Sequence, residues 1–167
     1  MKILVFSDSH GDVETMCAVV ENEKPDMIVH LGDFITDANK LGARYPGIEM
    51  IKIFGNSDSS RELEDWTEFA EVCGKKIMLT HGHEFWENTG DIRNIDGIKE
   101  MALYGFGRGA DIILFGHSHE PYLNCRLGRW LMNPGRIGRL SGKFIHATYG
   151  VLTIDDGNLQ WRFEEVV

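Results

Sequence analysis

At 167 residues the chain is the size of one ordinary domain and can bury a full core. Its hydrophobic fraction of 43% and charged fraction of 26% are those of a soluble globular protein. With 26 acidic against 17 basic residues and a net charge of −9, it lacks the cationic excess that binding nucleic-acid phosphates requires. The basic concentration Arg126, Arg129, Arg136, Arg139 and Lys143 reads as a solvated rim in preference to an anion-attracting edge.

The apolar start Ile3-Leu4-Val5-Phe6 turns polar at Ser7-Asp8, too soon for a signal peptide. No apolar run approaches the ~20 residues of a membrane span, so a cytoplasmic location without membrane contact is expected. Cys17, Cys73 and Cys125 are odd in number and scattered, which suits reduced thiols, most of them packed in the core.

Short apolar runs at residues 2–6, 27–31, 50–54, 76–79 and 111–115 read as strands buried on both faces. Between the first two, Val13, Met16, Cys17 and Val20 share one helical face, with Asp12 as N-cap and Pro25 beyond the end. A second helix carries Ile98, Met101 and Ala102, and a short third starts at Ser59 with Glu62 completing a capping box. From about residue 120, the segments 121–127, 129–132, 143–154 and 158–164 alternate and are split by Gly-rich turns, an antiparallel pattern. Two packed sheets with helices outside accommodate both halves.

The chemistry sits at the ends of the early strands. The five runs lead into Ser7-Asp8-Ser9-His10, Gly32-Asp33, Gly55-Asn56-Ser57-Asp58, His81-Gly82-His83 and Gly116-His117-Ser118-His119. Carboxyl ends of parallel strands share one edge of a sheet, where ligands bind. In extended chain, Asp8 would point with His10 and His117 with His119, and Gly32, Gly55, Gly82 and Gly116 would permit the sharp turns that bring them inward. Imidazole, carboxylate and carboxamide without thiolate suit Mn²⁺, Fe²⁺, Ni²⁺ or Zn²⁺. Asp8, His10, Asp33, Asn56, His81, His117 and His119 are too many for one ion, whereas two ions ~3.5–4 Å apart sharing a carboxylate would use them all. Two dications against Asp8, Asp33 and a hydroxide come to neutrality with a phosphodiester monoanion, which leans the reading toward diesters. His30 and His146 lie inside apolar runs and read as core or supporting residues. Asp12 and Asp37 read as cap or turn residues, and Trp66, Trp86, Phe85 and Phe106 as core or pocket wall.

As a set, these motifs, with Asn133-Pro134-Gly135 after them, resemble the calcineurin-like metallophosphoesterase superfamily and, within it, the compact prokaryotic phosphodiesterase branch. The resemblance implies a single domain over residues 1–167, an α/β fold with a four-layer α/β/β/α sandwich and two mixed β-sheets. It implies two divalent ions, Mn²⁺ or Ni²⁺ ahead of Fe²⁺ or Zn²⁺. Asp8, His10 and His119 would hold the first, Asn56, His81 and His117 the second, and Asp33 would bridge. The expected reaction is phosphodiester hydrolysis by a metal-bridging hydroxide. Asn56 and His83 would act at the catalytic centre.

Larger members carry a histidine where this chain has Ser57, a poor general acid, so His83 is the candidate proton donor. The expected partner is a small phosphate ester, with no sequence-specific nucleic acid. A homodimer is open, since the branch often dimerises. The alternatives are a phosphomonoesterase and a non-catalytic interaction scaffold of the same fold. Phe85, Trp86, Tyr104 and Arg136 are candidates for the pocket rim.

Overall fold

The computed structural model describes residues 1–59, 66–86, 95–138 and 146–166. The first three parallel strands are β1 (Lys2–Phe6), β2 (Met27–His30) and β3 (Glu49–Lys52), linked by α1 (Val13–Glu23) and α2 (Ile35–Arg44). Then come β4 (Thr67–Val72), β5 (Lys75–Thr80), a 3₁₀ turn at His83–Phe85, α3 (Ile95–Gly107) and β6 (Ile112–Phe115). The chain closes with two antiparallel hairpins, β7 (Pro121–Arg126) with β8 (Arg129–Pro134) and β9 (Thr148–Asp155) with β10 (Asn158–Glu165).

These strands form two five-stranded mixed sheets, ordered β10-β9-β1-β2-β3 and β4-β5-β6-β8-β7. Between them, Ile3, Val5, Met27 and Val29 of the first pack with Ile77, Leu79, Ile112 and Leu114 of the second. On the outer face of the first sheet, Leu4, Phe6 and Ile28 meet Val13, Met16, Val20 and Leu41 of α1 and α2. Behind the second, Met78 and Ile113 meet Met101 of α3. Each strand feeds side chains to both neighbouring layers, because successive residues point to opposite faces. Each fully buried Leu or Ile contributes about 1.5–3 kcal/mol through lost water contact. The four-layer α/β/β/α architecture expected from the sequence is the observed one.

Helix α1 forms as its pattern predicts: Val13, Met16, Cys17 and Val20 are buried, and Asp12 accepts from the Thr15 N–H at 3.2 Å. In α3, Met101 is buried and Ile98 packs against the core. The proposed capping-box helix at Ser59 runs into residues outside the described ones, as do Arg139 and Lys143.

Several expectations are corrected. β3 is an edge strand with two exposed and two half-buried residues, because among the described residues nothing pairs beyond it. Helix α2 has no counterpart in the sequence pattern: its buried apolar face is only Ala38 and Leu41, too short a signal. Phe34 at its start offers no side-chain cap, and Asp58 substitutes by accepting the Ile35 N–H at 2.7 Å. Strand β4 is likewise unmarked, because its alternation is weak and its pairing with β5 leaves most of it half-exposed. The two tail hairpins belong to different sheets, β7–β8 extending the second and β9–β10 the first. Of the cysteines, Cys17 is buried but Cys73 and Cys125 are exposed. His146 is exposed rather than in the core, 3.4 Å from Glu165. Among the described residues, no helix is long and apolar enough to cross a membrane.

Candidate metal centre

The loops after β1, β2, β3, β5 and β6 meet at one edge where the two sheets adjoin. The side chains are aimed by tight turns rather than by extended chain. Asp8, His10, Asp33, His117 and His119 all adopt left-handed backbone, with φ of +57°, +44°, +60°, +65° and +59°. This corrects the extended-chain pairing: Asp8 and His10 do converge, but His117 and His119 diverge to different neighbours. Such conformations cost about 1–3 kcal/mol each outside glycine and persist only where the surroundings enforce them. Here the Asp8 N–H donates to the Gly32 carbonyl at 3.1 Å, and the Asp8 carbonyl accepts from Gly138 at 3.1 Å. The Gly116 N–H donates to the His81 carbonyl at 3.1 Å, tying the two strand ends of the second sheet together. Gly116 is needed for contact rather than for torsion: a Cβ there would lie 2.0 Å from Ser7 Oγ.

One ligand-capable atom from each of Asp8, His10, Asp33 and His119 lies within 4.8 Å of the others. Asp8 is fully buried. Its Oδ2 accepts from Ser7 Oγ at 2.6 Å and from the His117 N–H at 3.2 Å. Its Oδ1 has no hydrogen-bond partner, although His119 Nε2 is 3.1 Å away, and His10 Nε2 is likewise buried without one. Burial alone would raise the Asp8 pKa, but His119, His81 and Ser7 together hold the carboxyl well below the usual carboxylate range. A charged oxygen and an imidazole nitrogen left without partners in a buried cluster are the donor set a divalent cation completes.

The second group centres on His81. Its Nδ1 lies 2.7 Å from the Leu31 carbonyl, which fixes the proton there and leaves Nε2 a lone pair. That lone pair faces Asn56 Oδ1 at 3.0 Å and Asp33 Oδ1 at 3.4 Å. Acceptors converging on one another are stabilised by a cation among them. His117 stands beside His81, ring centroids 5.2 Å apart, with its pKa pushed down to about 4 by burial and by the neighbouring His81. It is outside the tight four-residue cluster, on the His81 side.

Asp33 lies between the groups. Its Oδ2 is 3.9 Å from His10 Nε2, and its Oδ1 is 3.4 Å from His81 Nε2. Both oxygens are also held by Ser57, from its N–H and its hydroxyl, each at 2.9 Å. The sequence marks Ser57 as a position lacking an acid; its grip on Asp33 was not legible, although the Gly-Asn-Ser-Asp spacing places it one residue past a ligand candidate.

His83 is half-buried at the rim, its ring centroid 5.5 Å from that of His81 and 6.1 Å from that of His117. Its Nδ1 approaches Glu84 at 3.4 Å, and Glu84 accepts from the hydroxyls of Thr67 at 2.8 Å and Thr80 at 2.7 Å. Burial lowers the His83 pKa, with Glu84 opposing the shift.

Other candidates fall around this centre. His30 is fully buried, with Nε2 3.2 Å from Ser9 Oγ, in the supporting role expected of it. Asp37 does more than cap a turn: buried, it accepts from Ser9 Oγ at 3.0 Å and the Gly11 N–H at 2.6 Å, anchoring the loop that carries Asp8 and His10. Trp86 is fully buried against Phe115 and is core, not rim. Phe85 and Phe106 pack at the edge of the same cluster, and Trp66 stacks edge-on against His83. Tyr104 is exposed on α3, packed with Phe85 and Arg108. Arg126 and Arg129 are exposed as a solvated rim requires, but Arg136 is only 1% exposed. Asn133 carries no functional signal in the sequence beyond its motif, yet its amide donates to the Gly116 carbonyl at 2.7 Å and to Ser118 Oγ at 3.0 Å, bracing the loop of His117 and His119.

The profile of the calcineurin-like phosphoesterase superfamily domain matches residues 1–157. A probable metallophosphoesterase of Bacillus subtilis, YsnB, is 32% identical over 171 residues, spanning 98% of this chain and 90% of the relative. The phosphodiesterase MJ0936 of Methanocaldococcus jannaschii is 26% identical over 85% of this chain and 88% of its own length. A crystal structure of a predicted phosphoesterase from Streptococcus pneumoniae superimposes with a TM-score of 0.73 at 28% identity, covering 98% of this chain and 88% of that one. Family match, two-sheet architecture and donor set agree, and the chain belongs to the calcineurin-like phosphoesterase superfamily.

Proposed function

We propose that the chain is a binuclear metal-dependent phosphodiesterase, acting as one cytoplasmic domain over residues 1–167. Asp8, His10 and His119 would hold the first ion, Asn56, His81 and His117 the second, and Asp33 would serve both. The observation that carries this reading is the placement of Asp33, one carboxylate oxygen toward His10 and the other toward His81. Mn²⁺ or Ni²⁺ suits the mixed nitrogen and oxygen donors, with Fe²⁺ and Zn²⁺ as alternatives. When bound, the ions supply acidity to an attacking water and positive charge to the phosphoryl oxygens.

The chain's own residues do the rest. Leu31 holds His81 in the tautomer that presents Nε2, and Ser57 keeps the Asp33 carboxylate from rotating. Asn56 adds an oxygen without adding negative charge, so the centre stays attractive to an anion. His83, whose Nδ1 lies 3.4 Å from Glu84, would give a proton to the departing oxygen.

The diester preference rests on the likeness to the archaeal phosphodiesterase, with a charge count over the two ions, Asp8, Asp33 and a hydroxide alone leaning the same way. A metal-by-substrate screen on metal-stripped protein tests the reading, comparing bis(p-nitrophenyl) phosphate with p-nitrophenyl phosphate. Faster monoester turnover would replace diester by monoester. Stoichiometric metal binding with no hydrolysis of either ester would favour the scaffold alternative.

A further inference from the structure

Arg136 is the least satisfied charge among the described residues. It is 1% exposed, and both terminal amino groups lack a hydrogen-bond partner. Everything else about it is pinned. Its N–H donates to Thr148 Oγ1 at 3.2 Å, its carbonyl accepts from the Thr148 N–H at 2.7 Å, and its Nε donates to the Gly138 carbonyl at 2.8 Å. The next two residues lie on the loop that carries Asp8: Ile137 donates to the Ser7 carbonyl and Gly138 to the Asp8 carbonyl, each at 3.1 Å. Gly138 is pressed so close that a Cβ would sit 2.3 Å from the Ser9 carbonyl oxygen. The guanidinium is therefore held beside the Asp8 end of the centre. Burial lowers its pKa, while the charge of Asp8 opposes that; in turn it adds to the lowering of His10 begun by burial.

A buried guanidinium with unused donors is costly unless something pairs with it. Asp8 does not pair with it: its Oδ2 is taken by Ser7 and His117, and its Oδ1 faces His119. A cation placed beside a cation-binding cluster also opposes the metal unless an anion comes between them. These constraints define the missing group as anionic, and the fork of a guanidinium suits two oxygens of one phosphoryl group.

We propose that Arg136 is an anion-binding residue of this centre, taking two phosphoryl oxygens through its terminal amino groups and fitting the site to a dianionic phosphate. The proposal rests on the phosphoesterase reading above and deepens it. The charge balance that makes a diester monoanion neutral omits Arg136. With its charge included, a dianion reaches neutrality, so inorganic phosphate and phosphomonoesters bind at least as tightly as the diester.

The test is calorimetric titration of inorganic phosphate into manganese-loaded wild type, Arg136→Gln and Arg136→Lys, with the melting temperature of each measured with and without millimolar phosphate. Loss of a charged, two-pronged contact should weaken phosphate binding about ten- to hundredfold in Arg136→Gln. Arg136→Lys should lie between, keeping the charge and losing the fork. Phosphate should raise the melting temperature of the wild type more than that of Arg136→Gln, whose own stability should be equal or higher without the unpaired charge. Unchanged phosphate affinity in a folded, metal-loaded Arg136→Gln overturns the proposal. If that variant does not fold, wild-type affinity in Arg136→Lys overturns it. A wild type that hydrolyses no ester would sink the enzymatic reading while leaving the phosphate comparison readable. Ester hydrolysis with equal phosphate affinity in all three proteins would sink only the role of Arg136.

Discussion

Ser57 holds both oxygens of Asp33, its amide donating to Oδ1 and its hydroxyl to Oδ2, each at 2.9 Å. A carboxylate gripped at both ends cannot rotate freely, and this one stands between two groups of metal-capable side chains. Ser57 is thus an orienting residue for Asp33, at a position where larger relatives are expected to carry an acid. Ser57→Ala removes one of the two anchors and keeps the backbone one. It should weaken metal binding about tenfold with little effect on folding. Titration of Mn²⁺ into the stripped variant measures this; wild-type affinity would mean that the backbone N–H alone suffices.

Asp33→Asn should have the larger effect. A carboxamide cannot present two anionic oxygens, so the variant should lose turnover and bind fewer than the wild type's metal equivalents. Metal analysis after gel filtration, alongside diester hydrolysis, reads both. Full metal content with retained activity would remove Asp33 from the bridging role.

His83→Ala should discriminate between leaving groups. Nitrophenolate departs without a proton, whereas an alkoxide needs one. Alkyl phosphodiesters should therefore slow by about a hundredfold or more beyond nitrophenyl diesters, within the usual 10²–10⁴-fold span of general acid catalysis. Equal slowing of both would make His83 a binding residue instead.

His30 makes a prediction about pH and stability. Burial pushes its pKa down to about 4, from an ordinary value of 6.5. Unfolded chains therefore bind a proton as the pH falls through about 6.5, whereas the folded chain does so only near 4, so stability is lost as the pH falls across that window. The loss attributable to His30 is on the order of 3 kcal/mol. Urea unfolding at pH 7 and pH 4.5 should show a steeper pH dependence in the wild type than in His30→Gln. Parallel slopes would show that His30 is protonated alike in both states.

Much of the fold was legible because the apolar runs are strong local signals. β1, β2, β5 and β6 are nearly continuous hydrophobic stretches, and α1 places four apolar residues on one face under a capping Asp12. Helix α2 and strand β4 were not legible. The first buries only Ala38 and Leu41 among apolar side chains, and the second is defined by its partner β5 rather than by its own pattern. His146 shows the same limit from the other side: an apolar neighbourhood in sequence did not make it buried in space.

The order of residues is enough to single out the metal-capable side chains of the centre. Seven nitrogen- or oxygen-bearing side chains stand just after five strand-forming runs, and parallel strands bring such ends to a common edge within each sheet. Which of those donors meet is settled in three dimensions. Left-handed turns send His119 to Asp8 and His117 to His81, a separation that residue spacing alone does not contain. The fates of Ser57 and Arg136 are settled there too. Isolated polar side chains carry no local pattern: the partner of Ser57 lies 24 residues away, and the burial of Arg136 is decided by backbone bonds that tie its strand end to Thr148 and the Asp8 loop.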